Sequence, residues 1–211
     1  MRIVPVPDPW RQSVRVVADA GNNDIDPYLA ADEREVFESF RFESRRIEWG
    51  ASRVAAKLLA LDLQLCRSAL ECRIPTHSER PRLELPRSHQ ELFVSISHSK
   101  GAGAAALDKT PIGIDLQEIQ EIHPRTRKYF LNDDEWRLAD DLDIEAPLIH
   151  LWAAKEAVWK VEPGEGWYRS GRVAITGATG SGLTLDWERH GNRGGVETHR
   201  IDDRFVLALA R

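Results

Sequence analysis

The sequence predicts an α+β fold, with helices packed against antiparallel sheet. Two observations carry that expectation: two long segments with helical periodicity, and short alternating or β-rich segments separated by glycine-containing turns. Over Asp32 to about Leu70, Ile47, Ala51, Val54, Ala55 and Leu58 fall on one helical face, with Arg45, Arg46, Glu48, Ser52, Arg53 and Lys57 mostly on the others. A second helix is expected over Ala146 to Val161, with Pro147 in its first turn and Pro163-Gly164 past its end. Asn132 or Asp133 caps a short helix starting near Asp134.

The strands follow from period-two patterning. Phe93 to Ser97 and Gly101 to Leu107 form two strands, with Ser97-His98-Ser99-Lys100-Gly101 expected as the turn between them. Over Ile112 to Leu116, Ile112, Ile114 and Leu116 face one way, while Gly113, Asp115 and Gln117 face the other. Arg172 to Thr176, Leu183 to Arg189 and Phe205 to Ala210 complete the set, and Gly177 to Gly182 is expected as a hairpin turn. That glycine stretch lacks the Lys-Ser/Thr ending of a phosphate loop and leads into a strand. No internal repeat or low-complexity tract is visible.

Composition narrows the function classes. The chain has 211 residues, 42% hydrophobic and 30% charged, enough for one large domain or two small lobes with a real core. No apolar run is long enough to cross a bilayer, and the opening Met1-Arg2-Ile3-Val4-Pro5 lacks a signal-peptide stretch, so a cytoplasmic protein is expected. A formal charge of -5 argues against nucleic acid as the main partner. Any anionic ligand must then be met by local basic groups, such as the cluster Arg41, Arg45, Arg46, Arg53 and Lys57. Cys66 and Cys72, without a Cys-x-x-Cys pair or nearby histidine, are expected to be reduced, with one or both buried.

The candidate chemistry rests on two carboxylates. Asp115 sits on a strand whose opposite face is apolar, where charge needs compensation; the alternative is a solvated face of an edge strand. Gln117 shares that face, so its amide oxygen could join a common ligand. Glu156 lies four residues after Trp152 and three before Trp159, with Lys160 four residues on. An ordinary surface pair would explain the Glu156–Lys160 spacing but not its tryptophan border. Hard oxygen donors with no nearby His or Cys point to magnesium, which is commonly held by two carboxylates plus substrate phosphate. Ser97 and His98 fit a phosphate contact, and a turn histidine bonding only backbone fits as well.

These pieces occur in a specific order. Ser95-Ile96-Ser97-His98-Ser99, then Gly113-Ile114-Asp115-Leu116, then Trp152-Ala153-Ala154-Lys155-Glu156-Ala157 with Lys160, resemble the 4'-phosphopantetheinyl transferases of the longer, monomeric, surfactin-synthetase-activating (Sfp-type) class. Arg53, Arg80-Pro81-Arg82-Leu83, Phe130, Glu135 and the closing Ile201 to Ala208 add to the resemblance. It implies two similar α+β lobes, residues 1–108 and 109–211, with coenzyme A in the cleft between them.

The resemblance also implies transfer of phosphopantetheine from coenzyme A to a serine of an acyl or peptidyl carrier protein, with magnesium held by Asp115 and Glu156. Lys160 would steady the departing 3',5'-ADP. Arg80, Ser97 and His98 would meet the 3'-phosphate, and Lys155 and Arg53 would contribute to coenzyme A binding. This chain departs from the family where a second acid is common, carrying Gln117, and where a glycine commonly precedes the basic residue, carrying Glu79. Glu35 and Glu38 fall where some members place phosphate-binding lysines. These departures leave open a catalytically weakened relative that binds coenzyme A or a carrier protein.

Overall fold

A computed structural model of the protein describes residues 1–75, 81–85, 92–161, 173–179 and 183–211. It divides into two compact units, Met1–Ile112 and Gly113–Arg211. No described helix is long and apolar enough to cross a membrane.

The first unit contains β1 (Arg2–Val4), β2 (Val14–Ala18), α1 (Asn22–Ile25), α2 (Ala31–Ser39), α3 (Glu43–Asp62), β3 (Phe93–Ser99) and β4 (Ala102–Asp108). Its sheet is antiparallel with order β1-β2-β4-β3. The small residues of β4 let α3 come close: a Cβ on Gly103 would lie 2.1 Å from the Ser52 backbone nitrogen. Val54, Ala55, Leu59, Val17 and Ala105 form the core of this helix-on-sheet layer.

The second unit contains β5 (Gly113–Glu118), α4 (Pro124–Phe130), α5 (Asp133–Asp141), α6 (Pro147–Val161), β6 (Ala174–Thr179), β7 (Leu183–Arg189), β8 (Asn192–Ile201) and β9 (Phe205–Ala210). Its antiparallel sheet runs β5-β9-β8-β7-β6. Leu151, Ala154 and Val158 of α6 pack with Val206 and Ala208 of β9 in its core.

The α+β expectation holds, but several element boundaries change. The helix expected from Asp32 to Leu70 is two helices, broken at residues 40–42. Phe40 and Phe42 are extended there, which lets the Phe40 ring meet Trp49 at 5.8 Å and the Phe40 carbonyl accept from Arg46. His98 is not in a turn: β3 continues through Ser99, and the turn is Lys100-Gly101. Both turn residues have positive φ, 43° and 77°, the twist a two-residue hairpin favours.

Gly177 to Thr179 belongs to β6, past a register shift between Ile175 and Gly177, while 180–182 lie outside the described residues. Helix α5 starts at Asp133 with Asn132 as its cap, accepting from the Asp134 and Glu135 amides.

An internal repetition that the sequence reading did not find appears as a buried ion pair in each unit. In the first, Glu33 of α2 accepts from Lys57 of α3, from the Ala30 amide at 2.9 Å and from the Ile74 amide at 3.1 Å. In the second, Glu135 of α5 accepts from Lys155 of α6 at 2.7 and 2.8 Å, from the Asn132 amide at 2.8 Å and from the Ile175 amide at 2.9 Å. In each case one carboxylate caps a short helix, neutralises a lysine of the long helix and anchors an extended segment.

Candidate active site

The second unit brings Asp115 and Glu156 together. Strand β5 lies at the edge of its sheet, so strand order alone would leave Asp115 open to solvent. Helix α6 covers it instead, and Asp115 is 1% exposed. Gly113 makes the approach possible, since a Cβ there would lie 1.9 Å from the Ala157 carbonyl oxygen. The solvated-strand alternative for Asp115 therefore falls.

On α6, Trp152, Glu156 and Lys160 stack at four-residue spacing. Trp152 Nε1 donates to Glu156 Oε2 at 3.1 Å, and its ring meets buried Phe130 at 4.7 Å. Lys160 Nζ donates to Asp115 Oδ1 at 2.7 Å and to the Ile114 carbonyl at 3.0 Å, and stands 3.9 Å from Glu156 Oε1. The cation is thus bound more closely to the strand aspartate than to its helical neighbour. Gln117 Nε2 donates to Asp115 Oδ2 at 2.7 Å and to Glu156 Oε2 at 3.2 Å. Through that amide nitrogen, Gln117 bridges the two acids.

Among the described residues, two carboxylates face one lysine here, and the Glu156 carboxyl is raised from 4.5 to about 7. Burial is the larger cause and the Asp115 charge the second, with Lys160 and the Trp152 hydrogen bond pulling the other way. A cation would relieve this excess, and the donors are hard oxygens. Among the described residues, no group of three or more His, Cys, Asp and Glu side chains is arranged to hold a metal. The carboxylates number two, which is what a magnesium ion shared with substrate phosphates uses.

This spot carries two of the three motifs on which the resemblance rests. Residues 111–209 match the family model of the 4'-phosphopantetheinyl transferase superfamily. The similarity covers nearly all of the second unit. The 4'-phosphopantetheinyl transferase psf-1 of Bacillus pumilus is 26% identical over 194 residues, spanning 88% of this chain and 79% of the relative.

Other residues that the superfamily resemblance singles out are placed as follows. Lys155 is 1% exposed and given to both oxygens of Glu135, so the structure makes it an internal counter-ion where a coenzyme A contact was expected. Burial lowers its affinity for a proton, and Glu135 works against that. Arg53, 6% exposed in the first unit, lies over the Trp49 ring with its Cζ 3.5 Å from the centroid. Burial lowers Arg53 to about 10. Ser97 is buried on β3, and His98 beside it has Nδ1 3.6 Å from Glu48 Oε2, the carboxylate that also takes Arg45 at 3.1 Å. Arg80 and Glu79 lie outside the described residues.

The hydrogen-bonding role of Trp152, the Glu135–Lys155 pair and His150 were not foreseen. His150 is buried against Thr198, Nδ1 to Oγ1 at 2.9 Å, and is lowered to about 4, first by burial and then by His199. The Asn132-x-x-Glu135 capping pattern was the sequence signal that could have placed Glu135 at the start of its helix.

Glu156 and His150 predict opposite pH effects on the metal-free protein. Between pH 4.5 and about 7 the folded chain keeps a Glu156 proton that the unfolded chain has lost. That stability is fully present below the lower value and disappears as pH rises to the upper one. His150 contributes stability that is present above its ordinary 6.5 and is lost as pH falls to about 4. The difference in unfolding free energy between wild type and Glu156→Gln is therefore expected to fall by up to about 3 kcal/mol as pH rises through the Glu156 window. Denaturant titrations at several pH values check this, and a flat or rising difference would remove the raised carboxyl.

Proposed function

We propose that the chain transfers the 4'-phosphopantetheine group of coenzyme A to a serine of an acyl or peptidyl carrier protein and releases 3',5'-ADP. It would act as a cytoplasmic monomer of the surfactin-synthetase-activating class. The observation that supports the reading is the convergence of Asp115 and Glu156, from segments far apart in sequence, within reach of one bridging amide. The resemblance supplies the reaction, and psf-1 of Bacillus pumilus bears the same activity in its name.

The donor chemistry fits magnesium. Asp115 and Glu156 would hold it, and Gln117 would join by presenting its amide oxygen in place of the nitrogen it now offers both acids. When bound, the ion would supply charge neutralisation for a diphosphate. Glu156 is proposed to take the proton of the carrier serine. The serine oxygen bonds to the β-phosphorus as the bond from that phosphorus to the bridging oxygen breaks, and 3',5'-ADP leaves with the electron pair. Asp115 sets the local negative charge, and Lys160 offers the positive charge that steadies the leaving group. Ser97, His98 and Arg80 are proposed for the 3'-phosphate. Lys155 and Arg53 would serve binding by fixing the helices that carry Glu156 and the first-unit basic cluster.

Purified protein with coenzyme A, magnesium and apo carrier proteins of fatty-acid, polyketide and nonribosomal-peptide type is expected to add one phosphopantetheine mass to at least one carrier. No addition on any member of that panel would defeat the reading. A second reading, a binding module without turnover, is favoured by one observation: Gln117 donates to both acids where the family often has another acid. Calorimetry separates the two, because a binding module takes up coenzyme A while every carrier stays unmodified.

A further inference from the structure

The chain has two cysteines, and the first unit places them in contact. Cys66 lies in the turn after α3, and Cys72 follows a short helical turn at Ala69–Glu71. Both are free thiols, and Cys72 Sγ–H donates to Cys66 Sγ across 2.6 Å. Local bonds hold the intervening turn: the Cys72 amide to Ala69 oxygen at 3.2 Å, Glu71 to Ser68 at 3.1 Å, and the Arg67 amide to Glu71 Oε2 at 2.9 Å. The sulfurs therefore need only a small approach to reach the bonded separation of about 2.0 Å. Cys72 is fully buried, while Cys66 is half-buried and reachable from solvent.

We propose that Cys66 and Cys72 form a reversible oxidation site that closes to an intramolecular disulfide when the protein meets a small-molecule disulfide such as oxidised glutathione. Cys66 attacks first. Its thiolate displaces one glutathione thiolate and forms a mixed disulfide. Cys72 then attacks the Cys66 sulfur and expels the second glutathione thiolate, and the two thiol protons end on the released glutathiones. The protein loses two electrons and one glutathione disulfide gains them. The order follows from the asymmetry of the pair. Burial and the hydrogen bond to Cys66 push the Cys72 thiol up, so enclosed Cys72 serves as the protonated donor and half-buried Cys66 is the sulfur that meets the disulfide first.

The bridge would also have a structural effect. Cys72 leads directly into Arg73, which pairs with Glu84, and Ile74, whose amide is held by Glu33. Oxidation would tie the end of α3 to the segment that the first buried ion pair anchors.

Full-length protein incubated with oxidised glutathione is expected to lose both alkylatable thiols and about 2 Da, without retaining glutathione. Tryptic cleavage after Arg67 should leave two peptides joined through Cys66 and Cys72, and dithiothreitol should separate them. Cys72→Ser is expected to accumulate a stable glutathione adduct on Cys66, whereas Cys66→Ser stays unmodified because Cys72 is enclosed. The oxidised wild type should also melt at higher temperature than the reduced form. Two thiols remaining after treatment, a persistent glutathione adduct on wild type, or cross-linked dimers on a non-reducing gel would each overturn the proposal.

Discussion

Asp115→Ala and Glu156→Ala are each expected to lower the rate of carrier modification by about 10²–10³-fold or more, the cost of removing one preorganised charged contact from the proposed phosphoryl-transfer site. The two losses should not multiply, since both acids serve one spot. Structure predicts different side effects for the two variants. Asp115→Ala leaves Lys160 without its 2.7 Å partner, with the Ile114 carbonyl still at 3.0 Å. Glu156→Ala removes a half-buried acid that is raised to about 7, so it should cost little stability near neutral pH.

Gln117→Glu completes the test from the other side. It replaces a donor that now bridges both acids with a third carboxylate, so activity should become more dependent on added magnesium and saturate at a lower concentration. Initial rates against magnesium concentration, with circular dichroism to confirm folding, check all three variants. Near-normal rates in both alanine variants would remove Asp115 and Glu156 from the site.

What the sequence showed of this site follows from local geometry. The alternation of β5 put Asp115 and Gln117 on one face, and the helical period of α6 aligned Trp152, Glu156 and Lys160. Both regularities operate within one element, so the residue order alone reveals them. What stayed hidden was pairing between elements. Lys160 prefers Asp115 to its helical neighbour Glu156 because Gly113 brings β5 under α6, and no one-dimensional spacing encodes that approach.

The fold shows the same division. Strands β7 and β9 were recognised by their own patterning, whereas β8 was missed because Asn192-Arg193-Gly194-Gly195 has the composition of a turn and becomes strand by pairing on both sides. The aromatic break at residues 40–42 was hidden for a related reason, since the Phe40–Trp49 contact that favours it spans two helices.

The repeated ion pair gives the largest expected effect on stability. Lys155→Ala leaves Glu135, 0% exposed, without its cation and is expected to cost about 3–5 kcal/mol. Glu135→Ala should cost more, because it also strands the Asn132 and Ile175 amides, each hydrogen bond adding about 1 kcal/mol. The double variant Glu135→Gln with Lys155→Met should recover much of the loss, since the glutamine can still accept from one amide and no isolated charge remains.

Chemical denaturation of the three variants measures these differences directly. If Lys155 acts by fixing α6, the loss appears in unfolding while the protein that remains folded binds coenzyme A with unchanged affinity. If Lys155 instead meets the ligand, the double variant regains stability but not affinity, and the internal counter-ion assignment fails. The pair Glu33 and Lys57 supplies the control, because the same substitutions there should destabilise the first unit without touching the helix that carries Glu156.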